Sequence, residues 1–199
     1  MSEVIKKALR GFANLSYFKV TKNDETTYTT GEKKAVCGAL GERSLNREDS
    51  RSEFKIPGGD GIYDQGTDYE NTTLTVGVNQ MELAALADLL GAEFDETDKV
   101  LVEKEIMNAP EVALSFSGLQ SGGGYRLFHY YSAKLTNYQH DLTTRGDTGN
   151  NVNQYNLTFL CKGRVTDGRV RATKDVDPPA PGQKPDLSWL DSIAAVPAP

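Results

Sequence analysis

Two histidines, His129 and His140, are the side chains best suited to proton transfer near neutral pH in this 199-residue sequence. Neither accompanies a recognisable nucleophile, because the sequence contains no GxSxG elbow, no HExxH motif and no Cys–His signature. His129 lies in the run FHYYS, which is typical of a strand, so a packed or surface ring is favoured over a ligand. The sequence therefore predicts no catalytic residue and no enzyme, and a hydrolase in particular has no candidate residues.

Metal and phosphate sites are weakly indicated as well. Asp95, Asp98 and Glu103 suggest a calcium loop, but their spacing departs from the EF-hand pattern and lacks its central glycine. The glycine-rich runs at 58–61 and 122–124 have no lysine in the P-loop position and lie between predicted strands, so turns explain them better. No cofactor and no metal is therefore expected.

Composition and charge restrict the function further. The formal net charge of −6 disfavours tight binding to nucleic-acid phosphates, although DNA could slide past an acidic surface. No apolar run approaches the roughly 20 residues that span a bilayer, and the N-terminal residues lack the apolar region of a signal peptide. The two cysteines, Cys37 and Cys161, are expected to be small buried residues in a reduced cytoplasm, with a surface disulfide as the alternative.

One stretch, residues 69–91, combines both kinds of secondary structure. Its first half alternates apolar and polar residues up to Val78, as a half-buried strand does. Its second half predicts a helix with an N-cap at Asn79, a capping-box partner at Glu82 and a closing glycine at Gly91. The residues expected to face the core from this helix are Met81, Leu86, Leu89 and Leu90.

Most of the remaining chain has the pattern of strands, so a mainly β, antiparallel fold is expected. Strands are predicted at 12–21 and 26–30. The clearest hairpin joins residues 111–119 to 125–136 through the glycine turn at 121–124. Residues 154–161 and 164–173 are predicted to form a last hairpin, and an edge strand is expected at 100–106.

Residues 42–59 are dense in charges of both signs and have little to bury. Two interpretations remain open, a solvated loop and a long β-hairpin arm at about 41–60 that reaches a neighbouring subunit. Deleting residues 43–52 is then expected to leave a folded monomer and to shorten or abolish any assembly.

The composition changes at Asp177, where the proline-rich sequence DPPAPGQKP begins. The expected division is a β domain at 1–176 and an extended tail at 177–199. Within this tail Leu187, Trp189, Leu190 and Ile193 form an apolar cluster, which either docks on the domain or is disordered.

The ordered series of these pieces resembles the major tail tube proteins of long-tailed, non-contractile (siphovirus-type) bacteriophages. The similarity is carried by GFANLSYFKVT, by GDGIYDQGTDYENTTLTVGVNQMELAALADLLG and by EVALSFSGLQSGGGYRLFHYYSAKLT, and it continues through TTRGD and TDGRVR. It covers roughly residues 11–176 and leaves out the proline-rich tail.

The resemblance implies an antiparallel β-sandwich or flattened barrel with one flanking α-helix. It also implies hexameric rings that stack into a tube, through which DNA leaves the capsid without specific binding. The expected partners are further copies and other tail proteins (tape measure, tail terminator, distal tail). The expected location is the virion tail, assembled in the host bacterial cytoplasm without a membrane. On this view the charged arm bridges rings through Arg43, Asn46, Arg47, Glu48, Asp49, Arg51 and Phe54.

Two alternatives remain. The first is a non-catalytic β-sandwich that binds a carbohydrate or a protein, with Tyr130 and Tyr131 exposed beside the glycine-rich turns. The second is the tube protein of a contractile or secretion-type injection system, since these inner tubes share the architecture.

Overall fold

A computed structural model describes residues 7–38, 41–58, 61–142 and 154–193 of the chain, without the side chains of 56–58, 61–63 and 141. Within these ranges the protein is mainly antiparallel β-sheet with one α-helix, which confirms the expected fold class. The strands are β1 (Leu9–Asn23), β2 (Tyr28–Ala35), β3 (Glu42–Gly58), β4 (Gly61–Val78), β5 (Glu93–Asp95), β6 (Val100–Val102), β7 (Val112–Gln120), β8 (Tyr125–Asp141), β9 (Gln154–Lys162) and β10 (Arg171–Val176). The helix α1 is Leu83–Leu90.

Eight strands form one bent sheet in the order β2-β1-β7-β8-β9-β4-β3, with β10 also paired to β8. The long strand β8 divides the sheet into two layers. Its first half pairs with β7 and β10 and belongs with β1 and β2, and this part is called the β1 layer. Its second half, residues 132–141, pairs with β9 and belongs with β4 and β3, and this part is called the β4 layer. Apolar residues from both layers and from α1 share one core.

Helix α1 lies against that core, and Leu86, Leu89 and Leu90 are buried as predicted. Gly91 ends the helix in the left-handed conformation with φ 70°, which confirms the predicted closing glycine. A side chain would not fit there, because a Cβ atom would lie 2.4 Å from the Asn108 carbonyl oxygen.

The predicted start of α1 is wrong. Glu82, not Asn79, occupies the N-cap position, and it makes no side-chain capping hydrogen bond. Met81 therefore lies before the helix, partly buried against the core. The physical reason is that β4 continues to Val78 and the Asn79 backbone N–H donates to the Gly41 carbonyl at 2.7 Å, so residues 79–82 are used in the turn.

The predicted last hairpin is also wrong. β9 has β8 on one side and β4 on the other, so neither of its edges is free for β10. β10 pairs instead with the first half of β8, with Arg171 opposite Tyr130 and Val176 opposite Tyr125. The central hairpin of β7 and β8 is confirmed.

The apolar cluster in the tail docks on the sheet, so the disordered interpretation is wrong for residues 187–193. A short 3-10 helix, Ser188–Asp191, places Leu190 in a fully buried position. The division at 176/177 itself stays a prediction. Cys37 and Cys161 are buried free thiols, as expected.

No helix in the described part of the chain is long and apolar enough to cross a membrane.

Candidate assembly surfaces

The charge-dense segment is a long β-hairpin, so the loop interpretation is wrong. β3 and β4 pair along their whole lengths, from Glu42 opposite Val78 to Gly58 opposite Gly61. β9 accompanies β4 only from Thr72 to Val78. From Arg51 opposite Tyr69 outwards, the two strands therefore continue as a two-stranded ribbon, residues 51–58 and 61–69, of about 25 Å at 3.3 Å per residue.

This geometry changes where an arm deletion should be made. Residues 43–50 form the edge of the β4 layer, and Leu45 there packs against the core. Deleting 43–52 would remove that edge strand, so the expected folded monomer does not follow from the structure. The free part of the hairpin is the ribbon itself.

The seven residues predicted to bridge rings fall on two parts of the hairpin. Arg51 and Phe54 lie on the ribbon, and the other five lie on the inner part of β3. The inner pair Arg47 and Asp49 is held within the chain, since Arg47 Nε donates to Asp49 at 2.9 Å and the Thr72 hydroxyl donates to Asp49 at 2.6 Å. The hydrogen bond from Arg47 lowers the pKa of the Asp49 carboxyl. A role for the seven in ring stacking stays a prediction.

The strand register gives the ribbon two unlike faces. Ser52 lies opposite Asp68 and Phe54 opposite Gly66 on one face. The intervening pairs form the other face and are Arg51 with Tyr69, Glu53 with Thr67, and Lys55 with Gln65. The Phe54 face therefore carries two carboxylates, Asp64 and Asp68, and no cation among its described side chains, whereas the other face carries two cations, one carboxylate and the Tyr69 ring.

Phe54 also stabilises the ribbon itself. Its ring lies over Gly66, where a Cβ atom would be 2.6 Å from Phe54 Cε1. The ring covers a position that has no side chain, and Phe54 remains 39% exposed. Sequence reasoning missed Gly66, because only the register shows that it lies opposite Phe54.

The β4 layer has two open edges. β3 ends the strand order on one side. On the other side β7 pairs with β8 no further than Ala133, and among the described residues no strand but β9 pairs with residues 134–141. Directions alternate through β8, β9, β4 and β3, so the two edge strands run antiparallel to each other. A second copy could therefore add its β3 to this β8 edge and continue an antiparallel sheet.

The face of the β4 layer that points away from the core is polar and mostly uncharged. Asn46, Thr75 and Thr158 form one row across three strands, and Thr73 and Asn156 lie beside it. The alternate residues, Leu74, Val76, Leu157 and Phe159, are completely buried in the core. Charge enters this face near its margins, through Glu48 on β3 and through Lys134 and Lys162, which are diagonal neighbours on β8 and β9.

The tyrosines proposed for a ligand site are not exposed. Tyr130 is 1% exposed and belongs to the main core. Tyr131 is completely buried, with the Arg164 guanidinium 4.5 Å from its ring centroid. The expectation of exposed aromatics here is wrong, because Tyr130 faces the main core, and Tyr131 packs with Phe18, Ala113 and Ile193 in a second apolar cluster.

A cleft of about 700 Å³ lies between α1 and the end of β2, and the Asp88 carboxylate in it has three hydrogen-bond partners. Asp88 accepts hydrogen bonds from Lys19 at 2.7 Å, from Lys34 at 2.6 Å and from the Tyr17 hydroxyl at 3.0 Å. Burial raises the pKa of Asp88, but these three hydrogen bonds outweigh it and lower the pKa overall. Asp88 therefore holds α1 to β1 and β2 as an ionised carboxylate.

Within the described ranges, no group of three or more His, Cys, Asp and Glu side chains could hold a metal ion.

No family model matches the sequence, and no curated protein matches it. Among solved structures, the chain is similar to a chain of the sheath–tube complex of an extracellular contractile injection system (PVC) in its extended state. The TM-score is 0.40 with 10% sequence identity, over 87% of this chain and 93% of that chain.

Proposed function

We propose that this protein is a structural subunit that joins copies of itself edge to edge into rings, which stack into a tube. The observation that carries the proposal is the pair of open edges on the β4 layer, at β3 and at residues 134–141 of β8. Unpaired strand edges are a liability that proteins normally cover, and pairing between copies covers both edges at once. The two edges differ, so the contact is head-to-tail and closes into a ring when the rotation allows.

The ribbon supplies the contact between rings. It extends about 25 Å beyond the strands that support it, estimated from the rise per residue. Its two unlike faces suit a position between two different surfaces of neighbouring subunits. One of these surfaces would contact Phe54 and Asp68, and the other would contact Arg51 and Lys55.

The polar face of the β4 layer then lines the tube. A row of Thr and Asn side chains offers no cluster of cations for phosphates, and the net charge of −6 repels them. DNA can pass along such a wall without being held.

The full proposal is the tube of a long-tailed, non-contractile phage tail, with six subunits in each ring. Tape-measure, terminator and distal tail proteins are its partners, the virion tail is its location, and it has no catalytic role. The six-fold ring and these partners come from the sequence resemblance. A contractile or secretion-type tube is the competing assignment, and a sheath gene next to this one would favour it.

Negative-stain electron microscopy of the purified protein is the first test, and rings or tubes of uniform width are expected. Two single variants at neighbouring positions of β8, Gln139→Pro and His140→Pro, serve as controls for each other. Consecutive N–H groups in a strand point to opposite sides, so one proline removes a bond to β9 and the other removes a donor from the free edge. The edge-directed proline should abolish rings while leaving the melting temperature of the subunit nearly unchanged.

A protein that stays monomeric at high concentration would contradict the proposal, and selective glycan binding by that monomer would favour the binding-module alternative. Rings that survive both prolines would show that subunits do not join through the β8 edge.

A further inference from the structure

The C-terminal segment, residues 187–193, fills a groove on the face of the β1 layer that points away from the main core. This outer groove is formed by Phe18, Ala113, Ser115, His129 and Tyr131, all of which are buried. The segment contributes Leu190 and Ile193, which are 1% and 9% exposed.

Four residues of the segment have partners on the β1 layer. The Trp189 ring stacks on His129, with centroids 3.6 Å apart and planes 4° from parallel. The Ser115 hydroxyl donates to the Leu190 carbonyl at 3.2 Å, and Lys33 pairs with Asp191 at 2.8 Å. Ile193 packs with the apolar groove residues. The β1 layer therefore contacts an aromatic, an aliphatic, an acidic and a β-branched residue in a fixed order along the segment.

The segment is separable from the folded domain. The main core lies on the opposite face of the β1 layer and contains no residue of the segment. The connection from Asp177 is proline-rich and mostly exposed, and at the length of an extended chain it spans roughly 30 Å. The segment therefore behaves as a tethered ligand rather than as part of the core.

We propose that the outer groove is a peptide-binding site for the sequence Leu-Ser-Trp-Leu-Asp-Ser-Ile, filled in the free protein by its own C-terminal segment and open to the same segment of a second copy. A tether gives the resident segment an effective concentration of about millimolar, so it prevails in dilute solution. Where copies are held side by side, a neighbour's segment competes on nearly equal terms. Exchange of segments then ties subunits together at a place separate from the strand edges.

The test uses the full chain with the groove vacated by Leu190→Asp, which places a charge where a fully buried side chain lies. Ser192→Asp is the matched control, because Ser192 is exposed next to the same helix. Trp189 is the single tryptophan of the chain, so its fluorescence reports docking directly. Leu190→Asp should shift the emission to that of solvent-exposed tryptophan with an unchanged far-UV spectrum, and Ser192→Asp should not.

A dye-labelled peptide of residues 184–193 is then titrated into each protein and followed by anisotropy. It should bind the Leu190→Asp protein, and bind the wild type about tenfold more weakly or worse because the tethered segment competes. A labelled peptide carrying Trp189→Ala should lose most of its binding. If the Leu190→Asp protein is folded and does not bind the peptide at millimolar concentration, the proposal is overturned. If it unfolds, Trp189→Ala in the full chain vacates the groove for the same titration, with the same two outcomes.

The pH dependence of peptide binding gives a second readout. Burial lowers the pKa of His129 from 6.5 to about 4, the backbone hydrogen bond to Trp189 partly offsets this, and the charge of Lys33 adds to it. Lys33 and Asp191 are the charged groups close to the stack, and they pair with each other. The docked state therefore favours the neutral imidazole of His129. The affinity for the peptide should be constant above pH 6.5 and should fall roughly tenfold per pH unit between about pH 6 and 4. His129→Gln should remove this dependence above pH 5, where most carboxylates remain ionised; an unchanged profile in that variant would contradict the role of His129.

Discussion

Replacing residues 53–67 by an Asn-Gly turn is expected to leave a folded subunit that forms rings but not tubes. Ser52 lies directly opposite Asp68, so a two-residue turn can join the shortened strands. The deletion removes the ribbon and leaves the inner part of β3 paired with β4. None of the described side chains of the ribbon belongs to the main core. Single surface changes usually alter the free energy of unfolding by no more than about 0.5 kcal/mol, so the melting temperature of the shortened subunit should stay close to that of the wild type.

Electron microscopy shows whether rings and tubes form, and circular dichroism melting shows whether the subunit stays folded. Phe54→Ala is a milder change to the same ribbon, because it uncovers Gly66 and loosens the ribbon without shortening it. It should reduce tube length while rings persist. Tubes of normal length from the deleted protein would remove the ribbon from the assembly mechanism, whereas a protein that forms neither rings nor tubes would place ribbon residues in the contact within rings.

Local patterns in the sequence predict the local parts of this fold. Alternation predicts the strands around Leu74, Val76 and Val78, and the glycine turn at 121–124 predicts the β7–β8 hairpin. The start of α1 is missed because Asn79 is a good N-cap by residue type, but its backbone N–H is used by Gly41, 38 residues earlier. Capping preferences are worth about 1 kcal/mol, which a long-range contact can override.

Pairing between distant strands is the part that the sequence does not predict. β10 follows β9 closely, and sequential strands pair more often than not. β9 already has two neighbours, and this is visible only once β4 has been placed beside it. The same limit applies to Tyr130 and Tyr131, whose burial depends on apolar clusters built from distant parts of the chain and, for Tyr131, on Arg164. For the candidate site, the length of the charge-dense segment kept a hairpin open as one of two interpretations, but the open β8 edge and Gly66 follow only from the register.

Leu86→Asp is expected to have the largest effect on stability of any single change considered. The Leu86 side chain is 3% exposed and lies in the core between α1 and the two layers. Loss of such a side chain to alanine typically costs about 2–5 kcal/mol, and a carboxylate buried without a partner adds to that. Native domains are stable by only about 5–15 kcal/mol, so the variant should be mostly unfolded or should melt far below the wild type.

Leu83→Asp is the matched control on the same helix. Leu83 is 43% exposed and is the first residue of α1, where a negative charge interacts favourably with the helix dipole. Its melting temperature should stay within a few degrees of the wild type in circular dichroism. Similar melting of Leu86→Asp and Leu83→Asp would mean that α1 does not lie on the core by its Leu86 face. Unfolded subunits cannot join, so Leu86→Asp should lose both its tubes and the β-sheet signal in circular dichroism. The ribbon deletion should lose its tubes but keep that signal, which distinguishes the two variants.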